Sequence, residues 1–397
     1  MTTQTESLWR LFVVFLRLGL TSFGGPTAHI AYFRDEFVSR RRWLSEQHYA
    51  DLVALCQFLP GPASSQVGLS LGLMRGGYLG ALLAWIGFTL PSAILLILFA
   101  LGIAQDQSWL SPSALHGLKI VAVAVVAQAL LGMGRQFCSS TLTVGLAIAS
   151  AVILLLAPGM LAQMAVIVAA GVIGSHWLKG QNQQGQPVTL SVQPRTGYIA
   201  LGFLLVLLAG LPLISAIYSS HTLEQFAAFF RAGSMVFGGG HVVLPLLHSE
   251  TVLTSWVTHE AFVAGYGAAQ AVPGPLFTFS AFLGASMQDN PTGWLGGLWC
   301  LVAIFLPSFF LLLAALPFWV KLSATPKMRG ALSAINAAVV GLLGAAFYAP
   351  VWTSAITSAQ DVALGLVAFG MLKFAKCPPW LVVLAYALGG MGGGYWL

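Results

Sequence analysis

Charge is what this sequence has least of. Asp, Glu, Lys and Arg together make up 7% of its 397 residues, against roughly 25% in an ordinary soluble domain. A water-soluble fold of this size could not cover its surface with so little charge; lipid is the solvent that tolerates it. Cysteine is scarce too. Cys56, Cys138, Cys300 and Cys377 stand far apart with no metal-ligand spacing, which reads as small apolar filler rather than a zinc site or redox pair. The sequence carries no nucleotide motif and no metal-ligand cluster, so a membrane-embedded enzyme has little to work with. No basic segment with a cleavage site precedes the first apolar stretch, which is therefore expected to remain in the mature chain.

What is present is apolar. Hydrophobic residues reach 58% and mean hydropathy is +0.86. Runs such as Gly77 to Ile103 and Thr196 to Tyr218 are long enough to cross a hydrocarbon core of about 30 Å. The Lys and Arg behind the net charge of +6 sit in short clusters between these runs. That placement marks cytoplasmic loops and gives no sign of a nucleic-acid partner.

The chain also repeats itself. RLGLTSFGG at 17–25 returns as RAGSMVFGG at 231–239, an offset of 214, so Arg17 matches Arg231 and Phe23-Gly24-Gly25 matches Phe237-Gly238-Gly239. Gln57-x-x-Pro60-Gly61-Pro62 returns as Gln270-x-x-Pro273-Gly274-Pro275, Trp43 as Trp256, and Leu90-Pro91-Ser92 as Leu306-Pro307-Ser308. A duplicated membrane unit explains these ordered matches. Between its two motifs the first half carries Arg34, Arg40, Arg41 and Arg42, whereas Val242 to Ala269 contains no Lys or Arg. By the positive-inside rule the halves have opposite orientation, with the apolar run at 196–218 adding the crossing that inverts them.

The expected fold is therefore an all-α integral membrane protein of two inverted repeats, 1–180 and 222–397, joined by a linker helix within 181–221. Single crossings are expected at 77–104, 113–133, 141–157, 159–178, 196–218, 293–319, 329–349, 355–372 and 380–397. This places the N-terminus in the cytoplasm and the C-terminus outside. The FGG and PGP segments are expected to be re-entrant. His48 to Leu59 and Ala63 to Met74 are each about 18 Å of helix, enough to reach the midplane and return. Pro60-Gly61-Pro62 interrupts a helix because proline lacks an N–H and clashes with the preceding turn. Such a break at depth is tolerated only where protein shields it or water reaches it.

Helix N-termini aimed at a midplane cavity form an anion site through dipole and free N–H groups together. The candidate donors are the backbone around Gly24, Gly25, Pro26, Pro60, Gly61, Pro62, Gly238, Gly239, Gly240, Pro273, Gly274 and Pro275, with the hydroxyls of Ser64, Ser65 and Thr278. Tight packing alone would also account for the Gly and Pro. Arg17 and Arg231, each six residues before FGG in an apolar segment, would supply charge unless they snorkel to the interface. Gln57 and Gln270 could donate to a bound oxygen or bond between helices. Glu36 and Glu250 match across the repeat and, with His29 and His241, are the candidates for coupling protons. Lys119 and Asn336 are weaker candidates for lining a pore.

The sequence resembles the chromate ion transporters of the long two-domain type. The resemblance rests on FGGP followed by His29, Arg42-Trp43-Leu44-Ser45, QFLPGP at 57–62, FGGGHVVLP at 237–245 and QAVPGP at 270–275, and it covers nearly the whole chain. It implies export of chromate from the cytoplasm across the cell inner membrane, with chromate resistance as the result. Sulfate is a structural analogue and competitor, Phe23 belongs to the implied anion site, and no metal or cofactor is required. A homodimer is compatible with the residues. Uptake of sulfate or another oxyanion, a passive anion channel and a membrane-embedded chromate reductase are the alternatives.

Overall fold

In the computed structural model, which describes residues 7–104, 112–178, 192–237 and 240–392, every regular element is helical. The first half holds α1 (Leu8–Thr21), α2 (Gly25–Arg34), α3 (Glu46–Phe58), α4 (Ala63–Ala104), α5 (Pro112–Phe137), α6 (Thr141–Leu156) and α7 (Met160–Trp177). Helix α8 (Pro194–Tyr218) leads to α9 (His221–Met235), α10 (Val243–Thr251), α11 (His259–Ala269), α12 (Phe279–Ser286) and α13 (Gly293–Ala315). The short α14 (Trp319–Ala324), α15 (Pro326–Ala346), the single turn α16 (Thr353–Ala355), α17 (Ala359–Lys373) and α18 (Pro379–Gly392) complete the second half. Six of the described helices are long and apolar enough to cross a membrane, and the chain is a multi-pass membrane protein.

Local chemistry sets the ends of these helices. Ser140 caps α6 in a reciprocal box with Thr143, and Ser358 caps α17 in the same way with Asp361; each box satisfies two N–H groups at its helix start. Helix α4 folds back on itself at Gly76 and Gly77, where Gly77 takes φ +61°, a conformation that glycine adopts without steric cost. Its first arm then packs against its second: a Cβ at Gly72 would lie 2.5 Å from the Gly80 carbonyl oxygen. Gly284 of α12 and Gly296 of α13 make the equivalent backbone contact in the second half.

The inversion can be read from contacts. Along the second arm of α4 and α13, Leu101 faces Gly293, Ile97 faces Gly297, and the Trp85 ring lies 5.6 Å from Phe305 and 6.0 Å from Phe309. One number rises as the other falls, so these two equivalent helices run antiparallel. The pseudo-twofold axis that exchanges them lies across their length, which is the geometry of inverted repeats. Helix α1 runs parallel to the second arm of α4, with Leu8 at Gly76 and Gly19 at Phe88. Helix α9 runs parallel to α13 in the same manner, with Phe226 at Trp299 and Gly233 at Ile304.

The halves also exchange helices. Helix α5 packs against α17 and α18 of the second half, while α15 packs against α6 and α7 of the first. His116 Nε2 reaches Asp361 Oδ1 at 2.7 Å across one of these contacts. Gly174 of α7 and Gly330 of α15 touch backbone to backbone in the other. Small residues allow this approach where lipid supplies no hydrophobic drive. Gly174→Val is expected to lower stability by about 1–3 kcal/mol through overpacking, whereas Gly132→Val, with nothing within 4 Å of its added Cβ, should melt like the wild type in detergent. Helix α8 stands apart, with 11% of its most apolar stretch buried against 50% for α4 and for α13. A segment so little covered by protein suits a lipid-facing connector.

Candidate functional site

Helices α1 and α2 meet at Phe23-Gly24-Gly25, and α3 and α4 meet at Pro60-Gly61-Pro62, so both motifs of the first half are breaks between short helices. The breaks of the two halves then join crosswise. The Gly61 N–H donates to the Val236 carbonyl at 2.7 Å, and the Gly274 N–H donates to the Ser22 carbonyl at 2.9 Å. Val236 and Ser22 occupy matching places just before the two FGG motifs, so one bond is the symmetry mate of the other. Gly61 has φ +113° and Gly274 φ +104°, the left-handed region that a side chain disfavours. Space is closed there as well. A Cβ at Gly61 would lie 2.8 Å from Ser308 Oγ and from Gln66 Nε2, and one at Gly274 would lie 2.8 Å from Ser92 Oγ. Ser92 and Ser308 are themselves repeat equivalents.

The walls around these crossings hold polar groups that the protein leaves unsatisfied. Ser22 Oγ, Ser65 Oγ, Thr89 Oγ1, Ser308 Oγ, the Gln66 Oε1 and the Gln270 Nε2 are enclosed without a hydrogen-bond partner. Buried polar groups are usually paired, and a group left unpaired costs about 1–3 kcal/mol. The hydroxyls, which can turn to donate, and the Gln270 N–H₂ suit an oxygen-rich anion, whereas the Gln66 Oε1 only accepts and takes no part.

The remaining candidates fall into distinct settings. Pro26 faces Gly240 of the second half, so the two FGG regions touch; Gly238 and Gly239 lie outside the described residues. Ser64 is buried beside His29, whose Nδ1 lies 3.4 Å from its Oγ and whose Nε2 has no partner. Pro60 accepts a 2.7 Å bond from Gln66 Nε2, and Thr278 turns its hydroxyl back to the Pro275 carbonyl at 2.7 Å. His241 is engaged by the Tyr266 hydroxyl at 2.6 Å. Gln57 is exposed, unlike its repeat partner Gln270, which is half-buried.

The arginines diverge most. Arg17 lies on the exposed face of α1. Arg231 forms a two-pronged pair with Glu250, its Nε to Oε1 and Nη2 to Oε2 both at 2.7 Å, and Glu250 is 5% exposed. Glu36, the repeat partner of Glu250, accepts instead from Arg41 Nε at 2.7 Å. Glu36 and Glu250 are therefore each neutralised locally. Lys119 and Asn336 are half-buried on the two exchanged helices α5 and α15. Ser22, Gln66, Thr89, Ser92 and Ser308 were not among the residues that the motifs pointed to. The Leu-Pro-Ser repeat was the available signal for the last two.

Comparison with known proteins agrees with this architecture. The chromate transporter family model matches residues 9–175 and again 223–391. The chromate transport protein of Pseudomonas aeruginosa is 29% identical over 347 residues, covering 85% of this chain and 79% of its own length. The chromate transport protein of Cupriavidus metallidurans is 26% identical over 408 residues, covering 98% and 94%. A probable chromate transport protein of Synechococcus elongatus is 27% identical over 354 residues, covering 86% and 84%. No solved structure matches the chain. Since one family model accounts for both inverted halves in turn, the chain belongs to the chromate transporter family.

Proposed function

We propose that this protein is a secondary transporter that exports chromate across the cell inner membrane and so confers chromate resistance. The observation that carries the reading is the matched pair of crosswise turns, walled by the unpartnered hydroxyls of Ser22, Ser65, Thr89 and Ser308. A tetrahedral dianion offers acceptor oxygens in several directions and would satisfy such donors without a metal. With Arg231 tied to Glu250 and Arg17 on the exposed face of α1, binding rests on neutral donors. That holds the ion loosely enough to release it. Rocking of one repeat against the other would expose the crossing to each side in turn.

Energetics favour export. In a cell whose interior is negative, moving two negative charges outward gains about 4.6 kcal/mol per 100 mV, at roughly 2.3 per charge. Since about 1.4 kcal/mol is tenfold, the potential alone could sustain a gradient on the order of a thousandfold. Proton exchange through the histidines is allowed but is not needed.

The test is chromate accumulation in inverted membrane vesicles under an interior-positive potential, with the ion recovered as unchanged Cr(VI). Thr89→Val combined with Ser308→Ala is expected to lower the initial rate at least about tenfold, because a hydrogen bond to a charged group is worth about 1.5–3 kcal/mol. Appearance of Cr(III) would turn the reading to reduction. Accumulation confined to right-side-out vesicles would turn it to uptake, and sulfate flux in place of chromate flux would change the substrate.

A further inference from the structure

Two cavities occupy corresponding places in the inverted halves. One, of about 450 Å³, lies between the first FGG turn and the loop joining α17 to α18, and its wall includes Gly24, Gln128, Lys373, Lys376 and Trp380. The other, of about 290 Å³, lies between α10 and the loop joining α6 to α7, and its wall includes Leu155, Pro158, His248 and Leu342. Several wall positions correspond across the repeat. The capped starts of α6 and α17 set a shift of 218, from Ser140 to Ser358. That shift lays Lys373 over Leu155 and Lys376 over Pro158, and the offset of 214 lays Gln128 over Leu342. The pseudo-twofold axis places the cavities at opposite ends of the molecule. Their walls differ in charge: the first holds two lysines and no Asp or Glu, while the second holds no Lys or Arg.

The lysines are available to a ligand. Neither forms an ion pair among the described residues. Lys376 is held at φ +53°, a left-handed conformation unusual for a residue with a side chain. The following Cys377 N–H closes the turn onto the Met371 carbonyl at 2.9 Å. Strain kept in this way concentrates at functional positions.

We propose that the basic cavity is the loading vestibule for the oxyanion and that its uncharged counterpart is the release side. This rests on the oxyanion-transport reading above and adds a second binding region and a direction to it. A cleft lined by one sign of charge concentrates counter-ions and raises capture rates by about 10–10³. Lysine suits the task because its ammonium is a hydrated point charge without the bidentate grip of arginine, so the dianion passes on to the FGG turn beside it. At the opposite end the wall offers the ion His248 and His259 but no Lys or Arg. By the positive-inside rule the Lys373–Lys376 loop faces the cytoplasm, which makes the loading direction outward.

The test compares wild type with Lys373→Gln, Lys376→Gln and the double variant. Chromate transport would be followed in inverted vesicles, and chromate binding to the purified full-length protein by equilibrium dialysis. The double variant is expected to raise KM about tenfold and flatten its dependence on ionic strength, with maximal rate within about twofold of wild type. Lys→Arg at both positions should restore most of the KM. A double variant with unchanged KM and unchanged salt dependence would overturn the vestibule while leaving chromate transport intact. Wild-type protein that neither binds nor carries chromate would overturn the functional reading, and the vestibule with it.

Discussion

Gly61→Ala and Gly274→Ala are each expected to reduce chromate transport by about a hundredfold while the protein still reaches the membrane. Two costs combine at these positions. A left-handed backbone costs an L-residue about 1–2 kcal/mol. The new methyl would also sit 2.8 Å from Ser308 Oγ or Ser92 Oγ, closer than a methyl can approach. Relief comes from turning the Ser308 or Ser92 hydroxyl out of place or from shifting the turn, which breaks the bond from Gly61 to Val236 or from Gly274 to Ser22. A combined loss near 3 kcal/mol corresponds to about a hundredfold. Gly25→Ala is the control: its φ is +76°, but nothing lies within 4 Å of an added Cβ. It should bear the conformational cost of about 1–2 kcal/mol alone and lose only about five- to thirtyfold. Initial rates in inverted vesicles, normalised to protein present in the membrane, measure all three. Wild-type rates in Gly274→Ala would remove the crosswise turns from the mechanism.

The second large effect concerns stability. Arg231→Ala is expected to destabilise the protein by about 3–5 kcal/mol, the usual cost of leaving one member of a buried ion pair uncompensated. Glu250 is 5% exposed, and both of its oxygens are occupied by Arg231. Arg17→Ala should change the melting temperature little, because Arg17 stands on the exposed face of α1. Thermal unfolding in detergent would register the contrast. Adding Glu250→Ala to Arg231→Ala should recover part of the loss, since the stranded carboxylate goes with it. If the two arginine variants melted alike, the ion pair would not matter in the membrane-extracted protein.

The arginines also show where sequence reading stops. Arg17 and Arg231 are equivalent by every local criterion, and so are Glu36 and Glu250. Their pairing differs because the first half offers Glu36 a nearer partner, Arg41. Aligned on Trp43 and Trp256, the equivalent position in the second half is Thr254, so there the carboxylate turns to Arg231. Such competition depends on which side chains surround one oxygen, and no spacing rule reports it. The breaks at FGG and PGP were legible for the opposite reason. Glycine and proline act on the backbone of their own residue, so their effect is written locally. The hydroxyls of Ser22, Thr89 and Ser308 escaped notice because a serine in an apolar helix commonly bonds back to its own backbone. Only the enclosed surroundings of these three identify them as unpartnered.

By itself the sequence determined that the chain lives in lipid, that it is built twice, and that each copy is broken at matched Gly and Pro motifs. It also signalled the inversion, because loop charge reports which side of a membrane a loop occupies. All of this follows from composition, periodicity and local backbone chemistry. Tertiary structure alone decided that each PGP turn bonds to the FGG region of the other half, that α5 and α15 change places, and that unpartnered hydroxyls gather where the halves cross. These depend on contacts between residues more than 150 positions apart, such as Gly174 with Gly330 and Gly61 with Val236. Only the folded chain brings them together, because the pseudo-twofold packing of two antiparallel halves sets that register.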